Sequence, residues 1–352
     1  MNSNPKRESG PDIIRTLAIV CVVCGHFFSV NTPYNQVSHA GGAMLLQGCL
    51  KAFFCNLGVP FFLMLSGYFN CHKEFSPQYY RNIKKVLIPY IVISVITWAV
   101  LSADHSIIQL VLGTLGFHII GYAWYVEMFI GLYLIAPFLN IVLQKVFTSD
   151  DKKMLWGLFV VLVFMTSLPP LVDRGPYRLV PDYWMACFPV LLYATGAYIR
   201  HFQPVIKHRV WAIVAIGFIY LQYPMMTFVA NEMGIGGGNL TNLFGPYYAV
   251  PNYLAMTMLF VLLYKVEIKQ KWIGKAVTAI SLASYEMFLF SYLCDKFIYP
   301  YMMERFYTDQ ASFMVWFVPI TLTVLIASYL LSWTYREGSK MISNIHCTKK
   351  NK

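Results

Sequence analysis

Ten stretches of mostly apolar residues, each close to twenty residues long, recur along this 352-residue chain. They lie at 12–30, 50–70, 86–104, 123–143, 154–172, 183–200, 210–230, 249–265, 276–298 and 313–334. A helix needs about 20 apolar residues to cross a hydrocarbon layer of roughly 30 Å. A transmembrane β-barrel would instead show alternating segments of about ten residues, and continuous runs such as Met154–Leu168 and Ile320–Leu331 show no such alternation. The reading is all-α: a polytopic transmembrane helical bundle of about ten spans. Composition agrees, because only 12% of residues are charged, against roughly 25% in soluble domains. An aromatic content of 17% and a mean hydropathy of +0.54 exclude a disordered chain.

The formal net charge is +11, and the position of the cations gives it meaning. Of the 27 Lys and Arg, 22 fall in the two termini and in alternate connections, all on one predicted face. Lys51, Arg174, Arg178, Lys296 and Arg305 make up the other face. Cationic connections stay in the cytoplasm, so both termini are expected there, in a multi-pass protein of the plasma (inner) membrane. The surplus then records topology and contact with anionic lipids, not nucleic-acid binding. The first segment lacks a small-residue cleavage site and contains Arg15 and His26, which fits a retained signal-anchor. The expected domain is 1–340, followed by a basic cytoplasmic tail at 341–352. Residues 105–122 hold three glycines and fit an interfacial or re-entrant segment.

Other motifs carry less. Five of the eight cysteines fall inside predicted spans, so no disulfide framework is expected, and Cys21-x-x-Cys24 fits helix packing. Gly234–Gly238 lacks the Lys-Ser/Thr ending of a phosphate loop, and Asn239-Leu-Thr241 is a sequon on the predicted outer side. No metal-ligand spacing appears. Pro60, Pro89, Pro137 and Pro189 interrupt spans, and a kink beside Gly58-Val-Pro60 would shape either helix packing or a pocket.

Ionisable residues within spans are expensive, so each is a functional candidate. Arg15 and His26 are eleven residues apart, about 1100° or three turns plus about 20°, so they share one helix face about 16 Å apart. Asp12, one turn before Arg15, can pair with it. Of eight histidines only His26 is placed deep in a span, and neutral imidazole is a general base that suits such a site. Glu127 and Glu286 are carboxylates within spans four and nine. Each fits either an orienting partner of the imidazole or a structural ion pair. Arg81, Lys84 and Lys85 fit either a phosphate-binding cluster or a positive-inside flank.

The first span, with Arg15, ten residues and His26, is similar to that of acyltransferase family 3, integral membrane acyltransferases. Gly58-Val-Pro-Phe-Phe-Leu-Met-Leu-Ser-Gly-Tyr68 resembles that family's second-span signature, and Arg81-Asn-Ile-Lys-Lys-Val-Leu-Ile-Pro89 its basic entry into the third span. Trp124-Tyr-Val-Glu-Met-Phe-Ile-Gly-Leu-Tyr-Leu-Ile-Ala-Pro137 resembles the fourth span and Ser284-Tyr-Glu-Met-Phe-Leu289 the late Ser-x-x-Ile-Tyr-Leu pattern. Two departures stand out: Tyr122 and Ser291 occupy positions where members often carry His.

The resemblance implies transfer of an acyl group, commonly acetyl, from acyl-CoA to a hydroxyl of a cell-envelope polysaccharide or its lipid-linked precursor. No bound cofactor is expected; acetyl-CoA is a co-substrate, and envelope-synthesis proteins are candidate partners. In this reading Arg15, with Arg81, Lys84 and Lys85, meets the phosphates, while His26 is the catalytic base with Glu286 or Glu127 beside it. Asp12, Tyr68, Trp124, Tyr125 and Ser284 complete the substrate-binding set. A transporter or flippase for a lipid-linked or anionic substrate, and a binding subunit of an envelope-synthesis complex, are the competing readings.

Overall fold

The computed structural model describes residues 7–39, 41–103, 105–172, 181–233 and 246–350, and among them the regular structure is helical throughout. In chain order the helices are α1 (Ser9–His26), α2 (Gly42–Cys55), α3 (Gly58–Asn70), α4 (Pro77–Arg81), α5 (Lys84–Leu101), α6 (Ile107–Leu115) and α7 (Trp124–Thr148). There follow α8 (Lys152–Val172), α9 (Phe188–Phe202), α10 (Arg209–Glu232), α11 (Val250–Leu263), α12 (Lys271–Phe306), α13 (Gln310–Phe313) and α14 (Phe317–Lys350). A helix occupies each of the ten apolar segments, and among the described residues seven stretches are long and apolar enough to cross a membrane. Helices α9 and α11 are shorter, with 15 and 14 residues. Residues 174, 178 and 234–241, with the glycine run and the sequon, lie outside the described set.

The outer faces of α5 and α7 expose Ile88, Ile91, Val95, Leu134, Phe138 and Ile141. In water such continuous apolar faces would drive association; against lipid tails they are the matched surface. The protein is therefore an integral membrane helical bundle. Helix α6, nine residues with none buried, is too short to span, as the glycine-rich 105–122 segment suggested.

Close approach of backbones fixes the core, because lipid supplies no hydrophobic drive between helices and small residues permit tight packing. Helices α3 and α9 cross at Gly67 and Gly196: a Cβ on Gly67 would lie 1.9 Å from the Tyr193 carbonyl oxygen, and one on Gly196 would lie 1.8 Å from that of Met64. The second apolar segment breaks at Asn56–Leu57, just before Pro60, and Asn56 Nδ2 donates to the Ala52 carbonyl at 2.7 Å. After the break Gly58 seats α3 against Val22 and Ala18 of α1. The kink anticipated at Gly58-Val-Pro60 thus presses α3 onto the face of α1 that carries Arg15 and His26.

Candidate active site

Helices α1 and α12 run parallel and meet in polar clusters at two depths. In the inner cluster, the one at the N-terminal end of α1, Asp12 accepts two hydrogen bonds from Arg7, at 2.6 and 2.7 Å, and one from Ser281 at 2.7 Å. The hydrogen bond to Asp12 holds the Arg7 guanidinium above its ordinary range. Arg15 is the more distant cation, 3.9 Å from Asp12, donates to Ser281 Oγ at 3.2 Å and lies over the Phe69 ring. A guanidinium has five N–H donors. Because Arg7 takes the close bidentate position on Asp12, most of those of Arg15 remain for a ligand.

Arg15 forms part of the wall of a pocket of about 410 Å³, within the range of small-molecule sites. Lys85 of α5 and Ser66 and Asn70 of α3 also line it. The rest of its wall is apolar, with Val22, Phe62, Tyr125 and Phe288 among the lining residues, and Ser284 adds a hydroxyl. Arg15, Val22 and His26 follow one another at seven and four residues, so all three project within about 20° of a common line along α1. The pocket therefore extends along α1 to within one turn of His26.

His26 sits in the second cluster, the outer one, at the C-terminal end of α1. Its Nδ1 is buried, has no hydrogen-bond partner and lies 3.9 Å from Asp295 Oδ2. The side chain keeps 15% of its surface accessible, all of it away from the covered Nδ1. Tyr122 packs on the imidazole with ring centroids 3.8 Å apart and donates its hydroxyl to Asp295 Oδ2 at 2.6 Å. Asn31 Nδ2 contacts the same Oδ2 at 2.9 Å and the Tyr122 hydroxyl at 3.1 Å. Asn31 closes a π-helical turn, Phe27–Asn31, that continues α1 directly after His26; such turns are frequent at functional sites.

The structure brings Arg15, Lys85, Tyr125 and Ser284 to one pocket, with Asp12 behind Arg15. Other candidates lie elsewhere. Tyr68 donates to Glu8 at 3.0 Å and accepts from Arg200 at 2.9 Å, in a separate polar cavity lined also by Arg7 and Lys265. Trp124 is 46% exposed at the start of α7, and Arg81 and Lys84 are exposed and do not line the pocket. Glu127 is exposed, and Glu286 is half-buried on α12. Neither forms a hydrogen bond or ion pair with His26 among the described residues. The carboxylate beside His26 is Asp295, which sequence reading did not single out. One signal was present: Asp295 follows Ser284 by eleven residues, the spacing that links Arg15 to His26. Tyr122, read only as a departure from a pattern, is in direct contact with the imidazole. Ser291, the other departure, donates to the Phe288 carbonyl at 2.8 Å.

Among the described residues no group of His, Cys, Asp and Glu has the geometry of a metal site, and the seven cysteines from Cys21 to Cys294 are unpaired.

Fold and site together define a helical membrane protein whose pocket carries cations and extends through an apolar throat toward a histidine. The family model of acyltransferase 3, described as an acyltransferase domain, matches residues 8–333, nearly the whole chain. The chain belongs to that family and is a membrane acyltransferase. No curated protein and no solved structure matches it.

Proposed function

We propose that this acyltransferase moves an acyl group, acetyl in the simplest case, from acyl-CoA to a hydroxyl of a cell-envelope polysaccharide or its lipid-linked precursor. The carrying observation is the alignment of Arg15, the pocket wall at Val22, and His26 on one face of α1. In this reading the pyrophosphate meets the Arg15 fork, which suits bidentate phosphate contact, with Lys85 as a second charge. The pantetheine arm follows Val22, Phe62 and Phe288. Its length is comparable with the roughly 16 Å from Arg15 to His26, which sets the thioester near the imidazole. The cation distribution supports entry of the donor from the cytoplasm in a plasma-membrane protein with both termini inside.

His26 acts as general base. The acceptor hydroxyl oxygen attacks the thioester carbonyl carbon while its proton passes to the imidazole; the carbon–sulfur bond then breaks and the departing thiolate takes the proton from the imidazolium. The products are an ester and CoA thiol, and the histidine is restored. Help of this kind is typically worth 10²–10⁴-fold. The test is acetyl-CoA-dependent acylation in native membranes, followed by CoA release and by mass spectrometry of the envelope polysaccharide. His26→Ala and His26→Gln lose the activity at equal membrane abundance; wild-type turnover in both sinks the proposal. Substrate flux without acyl-CoA would point to transport instead.

A further inference from the structure

We infer that Asp295, held by Tyr122 and Asn31, is the positioning residue that fixes the tautomer of His26. The inference rests on the reading of His26 as the base and supplies what that reading lacks, a group that decides which ring nitrogen faces the acceptor.

A carboxylate buried in a membrane helix persists only where polar partners satisfy it. Asp295 has two such contacts on one oxygen: the Tyr122 hydroxyl at 2.6 Å and Asn31 Nδ2 at 2.9 Å. Two oxygens offer about four acceptor positions, and these contacts occupy the two on Oδ2, so the capacity for a third donor lies on Oδ1. His26 Nδ1 lies 3.9 Å from Oδ2, and buried ring nitrogens are normally paired. A shift of about 1 Å or a small turn of the carboxylate brings Nδ1 within charge-assisted hydrogen-bond reach of Asp295. The Tyr122 ring, 3.8 Å from the imidazole, limits how far the histidine can turn away. Glu127 and Glu286 do not compete, since Glu127 is exposed and neither forms a hydrogen bond or ion pair with His26 among the described residues.

With the Nδ1 proton directed at Asp295, Nε2 keeps its lone pair for the acceptor hydroxyl. As the hydroxyl proton reaches Nε2, the ring becomes an imidazolium whose charge faces the carboxylate. The proton leaves from Nε2 with the thiolate. Tyr122 and Asn31 act one step further back by holding Oδ2 in place.

Nitrogen-15 NMR of histidine-labelled protein in lipid nanodiscs reads the tautomer directly, with the His26 signals assigned by their loss in His26→Gln. Wild-type protein is expected to show the Nδ1–H form, and Asp295→Asn a mixture or the opposite form. With acetyl-CoA and native membranes as the acceptor source, the Asp295→Asn rate at saturating donor falls about 100-fold or more. Its KM for acetyl-CoA stays within about 2-fold, because a positioning role acts on the chemical step. Asp295→Glu keeps the tautomer and part of the rate, and it serves also if the Asn variant does not accumulate. An unchanged tautomer in Asp295→Asn overturns the inference whatever the activity. A wild-type rate in Asp295→Asn beside an inactive His26→Gln overturns it and leaves the general-base reading intact. Wild-type turnover in His26→Gln removes that reading, while the tautomer still decides whether Asp295 holds the ring.

Discussion

Replacing Arg15 by Gln tests the donor end of the pocket, and the structure sets the size of the effect. Among the described residues Arg15 is the one arginine lining the pocket, with 27% of its side chain exposed. Its fixed contacts are one hydrogen bond to Ser281, the Phe69 ring and a loose ion pair with Asp12 at 3.9 Å. Asp12 does not depend on it, since Arg7 holds that carboxylate through two short bonds. The substitution therefore removes a ligand contact with little disturbance of the inner cluster. A hydrogen bond to a charged group contributes about 1.5–3 kcal/mol, which converts to a loss of about 10- to 150-fold in affinity. Titration of purified protein in nanodiscs with acetyl-CoA gives the dissociation constant without needing the acceptor. Arg15→Gln is expected to raise the Kd for acetyl-CoA and for free CoA together, since both carry the phosphates. Arg15→Lys keeps the charge but not the fork, and falls between. Unchanged Kd values in Arg15→Gln would refute the placement of the phosphates. So would a loss for acetyl-CoA alone, which would move Arg15 to the acyl end.

Three further outcomes follow from the same geometry. Lys85→Ala weakens acetyl-CoA binding by a few-fold, the scale of an exposed ion pair worth about 0–1 kcal/mol, whereas Arg81→Ala leaves it unchanged; equal losses in both would show a diffuse basic flank. Gly196→Ala, whose Cβ would meet the Met64 carbonyl at 1.8 Å, forces α3 and α9 apart. It destabilises by about 1–3 kcal/mol or more, seen as a lower melting temperature in detergent, while Gly217→Ala, with open space around the added methyl, serves as the neutral control. Asp12→Asn weakens the bonds from Arg7 and Ser281 and leaves Arg15 without its counter-charge. It lowers thermal stability by about 1–3 kcal/mol; an unchanged melting temperature would show that the inner cluster carries no structural weight.

Hydropathy made most of the fold legible, because each apolar segment reports its own helix without reference to the others. The break at Asn56–Leu57 was visible as Gly58-Val-Pro60, although hydropathy does not register it. Segment 183–200 was harder: its first part, Asp182–Cys187, forms a 3-10 turn before the shorter α9, and apolar composition does not distinguish the two. In the site, the pairing of Arg15 with His26 was legible for the same local reason, since both stand on one helix. The choice of carboxylate was not. Glu127 and Glu286 drew attention as acids within apolar runs, but a carboxylate's partner depends on the register between helices far apart in sequence, and one chain's residue order does not encode that offset openly.

That offset explains why the two polar clusters occur on the same pair of helices. Asp12 meets Ser281 and His26 faces Asp295, and both pairs are separated by the same 269 residues. Parallel helices in constant register turn a spacing on one into the same spacing on the other, so the fourteen residues from Asp12 to His26 match the fourteen from Ser281 to Asp295. At 1.5 Å per residue the clusters stand about 21 Å apart, with the apolar pocket wall at Val22 and Phe288 between them. A one-residue slip of α12 would turn Asp295 by about 100° and carry it from the imidazole. The inner cluster thus sets the geometry of the outer one: the bonds that release Arg15 toward a ligand also lock the register that sets Asp295 opposite His26.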